Sequence, residues 1–107
     1  MSQRLADKVA MIVGAGQSPG ETLGNGRATA LLFGREGARV LAVDRDIGSA
    51  EQTAALVRDA GGDVIAFGAD VTDEEALRLA VDECIGRWGR LDILHNNVGI
   101  SVSGGDA

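Results

Sequence analysis

Five consecutive apolar residues, Val9-Ala10-Met11-Ile12-Val13, run directly into a thirteen-residue segment, Gly14 to Gly26, that holds five glycines and the chain's single proline. An unbroken apolar run of that length is what a strand covered on both faces requires. Glycine is needed after it because a tight strand-to-helix turn uses positive φ, and because a pyrophosphate must approach the backbone closely there. The helix that begins near Asn25 points its free amides and the positive end of its dipole at such a group. Pro19 and Gly20 argue against a helix starting before Leu23, so the loop is long. The glycines of this segment, Gly14, Gly24 and Gly26 among them, and Asn25 at the helix start are candidate cofactor-binding residues.

The same grammar repeats along the chain. A helix over Arg27 to Glu36 carries Ala28, Leu31 and Leu32 on one face, with Gly37 as its stop. A second buried strand, Arg39 to Val43, ends at Asp44. A helix from Gly48 to Ala60 runs through Ala50, Ala54 and Val57, and Asp63 to Gly68 is a third strand. Thr72 followed three residues later by Glu75 reads as a capping box, opening a helix with Leu77, Val81, Cys84 and Trp88 at helical spacing. Leu91 to His95 is a fourth strand. Strands alternating with helices through short links imply a parallel sheet with right-handed crossovers. The expected fold is a Rossmann-type doubly wound α/β sheet in strand order 3-2-1-4. The C-terminal ends of strands one and four then flank the switch point where such sheets bind ligands.

Asp44, eighteen residues after Gly26, can accept hydrogen bonds from both hydroxyls of an adenosine ribose and repel a 2′-phosphate, which favours NAD over NADP. The adjacent Arg45 could pair with that phosphate and keeps NADP open. A solvated aspartate starting a turn is the other reading of Asp44. Asp70-Val71 ends strand three with one polar and one apolar group placed for an adenine, or is simply the turn before Thr72. Asn96-Asn97-Val98-Gly99 closes strand four and suits a backbone pinned against a ligand, although asparagine pairs are common in turns.

Composition excludes several classes. The formal charge of −6 opposes binding to nucleic acid or an anionic membrane. One cysteine cannot form an intrachain disulfide and fits a reducing, cytoplasmic setting. No apolar run approaches the roughly 20 residues of a membrane helix, and no metal-ligand spacing occurs. His95 reads as a satisfied core histidine rather than a base, and Cys84 as core. Glu74-Glu75 and Asp82-Glu83 read as solvated helix surface.

Taken together, Gly14…Gly24-Asn25-Gly26-Arg27-Ala28, Asp44, Asp70-Val71-Thr72 and Leu91-Asp92-Ile93-Leu94-His95-Asn96-Asn97-Val98-Gly99 resemble the short-chain dehydrogenase/reductase family. Val98 stands for the alanine of the family's Asn-Asn-Ala-Gly motif, Val13 for its threonine, and about six extra residues separate Gly14 from the Gly24-x-Gly26 pair. The resemblance implies that Gly14, Gln17, Asn25 and Gly26 line the pyrophosphate of NAD (or NADP) and that Asp44 holds the adenosine ribose. It further implies Asp70 and Val71 at the adenine, Asn97 and Gly99 on the nicotinamide side, and an alcohol or carbonyl substrate. The family's catalytic Ser-Tyr-Lys set has no counterpart: the sequence has no tyrosine, and its one lysine is Lys8. No catalytic residue is therefore expected in this chain. Residues 1–99 read as the NAD(P)-binding unit and 100–107 as a tail leading into an absent C-terminal half, the whole protein being about twice this length and homo-oligomeric. A stand-alone nucleotide-binding module and a Rossmann methyltransferase fragment are the alternatives.

Overall fold

A computed structural model of the chain describes residues 4–16 and 25–96. Seven elements follow one another: β1 (Val9–Val13), α1 (Asn25–Arg35), β2 (Arg39–Asp44), α2 (Ile47–Asp59), β3 (Asp63–Gly68), α3 (Glu74–Trp88) and β4 (Ile93–Asn96). All strand pairs are parallel, and the order across the sheet is β3-β2-β1-β4. The expected doubly wound arrangement is therefore the observed one. Because connections between parallel strands are right-handed, reversing the direction of travel at β1 sends α3 to the face opposite α1 and α2.

Side-chain alternation divides the core accordingly. Ala10, Ile12, Val40, Ala42 and Val64 pack against Ala30 of α1 and against Ala54 and Val57 of α2. On the other face, Val9, Met11, Val13, Leu41 and Val43 pack against Ala80 and Cys84 of α3, with Trp88 and Leu91 at the margin. β1 is buried at every position, which is why its sequence shows a continuous apolar run instead of alternation. β4 carries one neighbour among the described residues, and Leu94 on it is half exposed.

Several boundaries differ from the sequence expectations. α3 begins at Glu74, and its N-cap is Asp73, not Thr72: the Asp73 carboxylate accepts from the Glu75 amide at 3.0 Å. The Thr72 hydroxyl is already committed, donating to Asp70 Oδ1 at 2.7 Å, and its amide donates to the same oxygen at 3.0 Å. A carboxylate two residues upstream closes an Asx turn and leaves the capping position to the next acceptor in line. Asp73→Ala is accordingly expected to cost about 1 kcal/mol in thermal or urea unfolding. Thr72→Val should change it by a few tenths at most, since the Thr72 side chain is exposed.

α2 starts at Ile47, one residue earlier than its apolar pattern suggests, because Asp46 caps it through the Ser49 amide at 3.2 Å. β4 starts at Ile93, not Leu91. The Asp92 carboxylate takes the Val9 amide at 2.9 Å while the Asp92 amide donates to the Val9 carbonyl, so a side chain makes the first link across the pair. Arg90 holds that carboxylate by two bonds of 2.9 and 2.8 Å. These contacts keep the Asp92 carboxyl below its usual range, the Arg90 bond first and the Val9 amide second. At the other end, α1 is closed as expected at Gly37, whose amide returns to Gly34 O while the Ala38 amide reaches Phe33 O.

Candidate functional site

Parallel strands bring all their C-terminal ends to one edge of the sheet. Val13 lies in register with Val43 on one side and with Asn96 on the other, and Asp44 lies opposite Gly68. The ends of β1, β2, β3 and β4 thus converge where the sequence places its motifs. The geometry is most developed at the end of β1.

There the chain turns sharply. Gly14 has φ of 75°, and its amide and that of Ala15 both donate to the Val43 carbonyl, at 2.8 and 3.0 Å. Gly16 then donates its amide to Asp44 Oδ2 at 2.9 Å. The other carboxylate oxygen of Asp44 accepts from the Asp46 amide at 3.0 Å. Asp44 is therefore more than a solvated turn residue: it ties the glycine turn to the end of β2 and to the start of α2. A carboxylate has about four lone-pair sites, so two backbone donors leave acceptor capacity for a ligand.

α1 comes in against this turn at Gly26. A Cβ on Gly26 would sit 1.8 Å from the Gly14 carbonyl oxygen and 3.0 Å from Ala15 Cα. The helix N-terminus, with the amides that lack an intrahelical partner in any first turn, is in this way brought onto the end of β1. The geometry supplies close backbone approach and a helix terminus in one place, the two conditions for holding a phosphate. The described residues fit such a group.

Other expected site residues are placed as follows. Asp70 is exposed and holds Thr72 with both of its short bonds. Those bonds, and to a smaller degree the nearby Arg45 charge, lower its carboxyl below the usual range. Val71 is half-buried and packs at the margin of the core under α3. Asn25 is the first residue of α1. Gln17, Gly24, Asn97 and Gly99 lie outside the described residues.

Two contributors escaped the sequence reading. Thr53 of α2 is 0% exposed; its hydroxyl donates to the Ala15 carbonyl at 2.8 Å and accepts from Arg27 Nε at 2.8 Å. The signal was there: Thr53 sits in the apolar stripe Ala50, Ala54, Val57, and a buried hydroxyl needs a partner. Arg27, directly after Gly26, also reaches Ser49 O at 3.3 Å and Gln52 Oε1 at 3.4 Å.

The remaining reactive side chains lie elsewhere. Cys84 is buried under the sheet, and burial, with a smaller contribution from Glu83, pushes its thiol up to about 11. At neutral pH that leaves almost no thiolate to act as nucleophile. His95 is half-buried with its ring edge-on to Phe33 at 6.4 Å. Glu75, Asp82 and Glu83 pair with Arg78 and Arg87 along exposed α3. Among the described residues no three acidic, cysteine or histidine side chains cluster to hold a metal, and no helix is long and apolar enough to cross a membrane.

A doubly wound parallel sheet in the order β3-β2-β1-β4, with a glycine turn after β1 and an acid at the end of β2, places the chain in the Rossmann-type class of α/β proteins. The model of the short chain dehydrogenase family matches residues 8–107, and the chain belongs to that family. It is 38% identical over 102 residues to the uncharacterized oxidoreductase YxbG of Bacillus subtilis (strain 168), covering 95% of this chain and 35% of that protein. It is 39% identical over 101 residues to the 3-oxoacyl-[acyl-carrier-protein] reductase FabG of Thermotoga maritima, covering 92% of this chain and 37% of that one. A solved 7α-hydroxysteroid dehydrogenase, in complex with NADH and 7-oxo glycochenodeoxycholic acid, superposes with a TM-score of 0.77 at 32% identity, over 87% of this chain and 34% of its own. The chain thus spans little more than a third of the length of these relatives.

Proposed function

We propose that this chain is the cofactor-binding part of an NAD-dependent oxidoreductase acting on an alcohol/carbonyl pair. The observation that carries the reading is the Asp44 carboxylate, which stands at the end of β2 and is bonded to the Gly16 amide of the glycine turn. One side chain thereby borders both the position of an adenosine ribose and the position of a pyrophosphate. A carboxylate there accepts from vicinal ribose hydroxyls and repels a 2′-phosphate, which favours NAD over NADP. The NADH held by the related steroid dehydrogenase supports the same choice.

In this reading the Gly14 turn, Gln17, Gly24, Asn25 and Gly26 hold the pyrophosphate. Asp70 and Val71 border the adenine, and Asn97 and Gly99 the nicotinamide side. The chemistry that the dinucleotide supplies is hydride exchange with the carbon of a small-molecule substrate. This chain contributes binding and orientation. Having no tyrosine and a single lysine ahead of β1, it carries no pair able to move the substrate proton. A cytoplasmic setting and a homo-oligomeric longer protein belong to the same proposal.

Titration of the 107-residue chain with NAD, NADP and S-adenosylmethionine, followed by Trp88 fluorescence and thermal stability, tests the assignment. NAD is expected to stabilise the chain most, by about 2.7 kcal/mol at a hundredfold excess over Kd, with no dehydrogenase turnover on any alcohol or ketone. Stabilisation by the methyl donor alone would overturn the reading, and measurable turnover would show that a proton-transfer group was overlooked.

A further inference from the structure

The peptide group between Ala15 and Gly16 is held at both ends. Its carbonyl accepts from the Thr53 hydroxyl and its N–H donates to Asp44 Oδ2. A hydroxyl has one proton to give. Since Arg27 Nε donates to Thr53 Oγ1, that proton goes to Ala15. Arg27 is itself fastened to α2 through Ser49 O and Gln52 Oε1, so the order Arg27, Thr53, Ala15, Gly16, Asp44 forms one directional chain of donors.

Such a chain matters in a turn of this composition. Peptide planes next to glycine rotate at little steric cost, and turn types that differ by one flipped peptide lie close in energy. Gly16 has no side chain with which to choose between them. A fully buried threonine in an otherwise apolar helix stripe is costly unless its hydroxyl is used, and here it is used on the one peptide that needs fixing.

We propose that Thr53, oriented by Arg27, is a positioning residue for dinucleotide binding: it sets the plane of the Ala15–Gly16 peptide and so the direction of the Gly16 N–H, which holds the Asp44 carboxylate in place for the adenosine ribose. The inference rests on the dinucleotide reading, but its first test does not need a ligand. In the ligand-free chain, Thr53→Val keeps the shape and removes the hydroxyl, whereas Thr53→Ser keeps the hydroxyl. Hydrogen exchange of the Gly16 amide, referenced to the core amide of Leu41, is expected to accelerate about tenfold in Thr53→Val and to return to the wild-type rate in Thr53→Ser. NAD affinity should fall about tenfold in the valine variant and recover to within about twofold in the serine variant.

Wild-type Gly16 exchange in Thr53→Val overturns the proposal, as does a serine variant as impaired as the valine one, which would assign the effect to packing. Unchanged NAD affinity in a valine variant whose Gly16 exchange has accelerated overturns the positioning role. If the wild-type chain fails to bind NAD, the dinucleotide reading falls, and the exchange result still decides whether Thr53 sets the peptide.

Discussion

Gly26→Ala is expected to cost the chain at least about 3 kcal/mol of stability and to abolish dinucleotide binding. The same substitution inside an ordinary helix is favourable by about 0.5–1 kcal/mol, because alanine restricts the unfolded chain and suits the helix. Geometry reverses the sign here. The new Cβ would lie 1.8 Å from the Gly14 carbonyl oxygen and 2.7 Å from its carbon. Both are backbone atoms, so no side-chain rotation can make room. The Gly14–Ala15 backbone is also tethered by two amides to Val43 O and by one carbonyl to Thr53. Either α1 moves off the end of β1, or those bonds break. Gly86→Ala on α3 is the matched control: a Cβ there meets nothing within 4 Å, and that variant should gain up to about 1 kcal/mol. Urea unfolding of the two variants beside the wild type measures the difference. A Gly26→Ala protein as stable as wild type would mean that α1 does not press on the β1 turn.

The elements of this fold were legible because the sheet is parallel and its interior strands are covered twice. Val9–Val13 and Val40–Val43 show as apolar runs, and the helices that follow show as Ala50, Ala54 and Val57 or as Val81 and Cys84 at helical spacing. What the pattern left open was the choice among adjacent polar groups. Asp70, Thr72 and Asp73 all offer an acceptor within four residues; the structure gives Thr72 to Asp70 and the helix to Asp73. Periodicity carries no information about such competition. It carries none about Asp92 either, whose carboxylate replaces a strand residue in the first link to Val9.

The candidate site was legible in part for a related reason. Glycine spacing and an acid after β2 are local patterns, and Gly14, Gly26 and Asp44 meet at one sheet edge as expected. Thr53 and Arg27 reach the turn through contacts separated by 38 and 26 residues. Only the register of α2 against the end of β1 brings them together. The sole trace in the sequence was a polar residue standing where the stripe calls for an apolar one.

Asp44→Ala is expected to weaken NAD binding roughly a hundredfold while improving NADP relative to NAD by at least as much. Two losses add up in the NAD term. The Gly16 amide, partly buried, loses its acceptor at about 1–3 kcal/mol, and the ribose hydroxyls lose a charged acceptor of similar worth. The Asp46 amide is exposed and turns to water. The NADP term has the opposite sign: a carboxylate about 4 Å from a phosphate costs about 4 kcal/mol per unit charge near a protein surface, and removing it leaves Arg45, the next residue, to attract the 2′-phosphate. Asp44→Asn separates the two effects. Its amide oxygen can still accept from Gly16, so stability and the glycine turn should stay close to wild type. Its neutrality should raise NADP affinity as in the alanine variant. Titrating both dinucleotides against the three proteins at one fixed ionic strength distinguishes charge from positioning. An NAD-to-NADP ratio unchanged in both variants would remove Asp44 from the ribose site and leave it only the role of fastening Gly16.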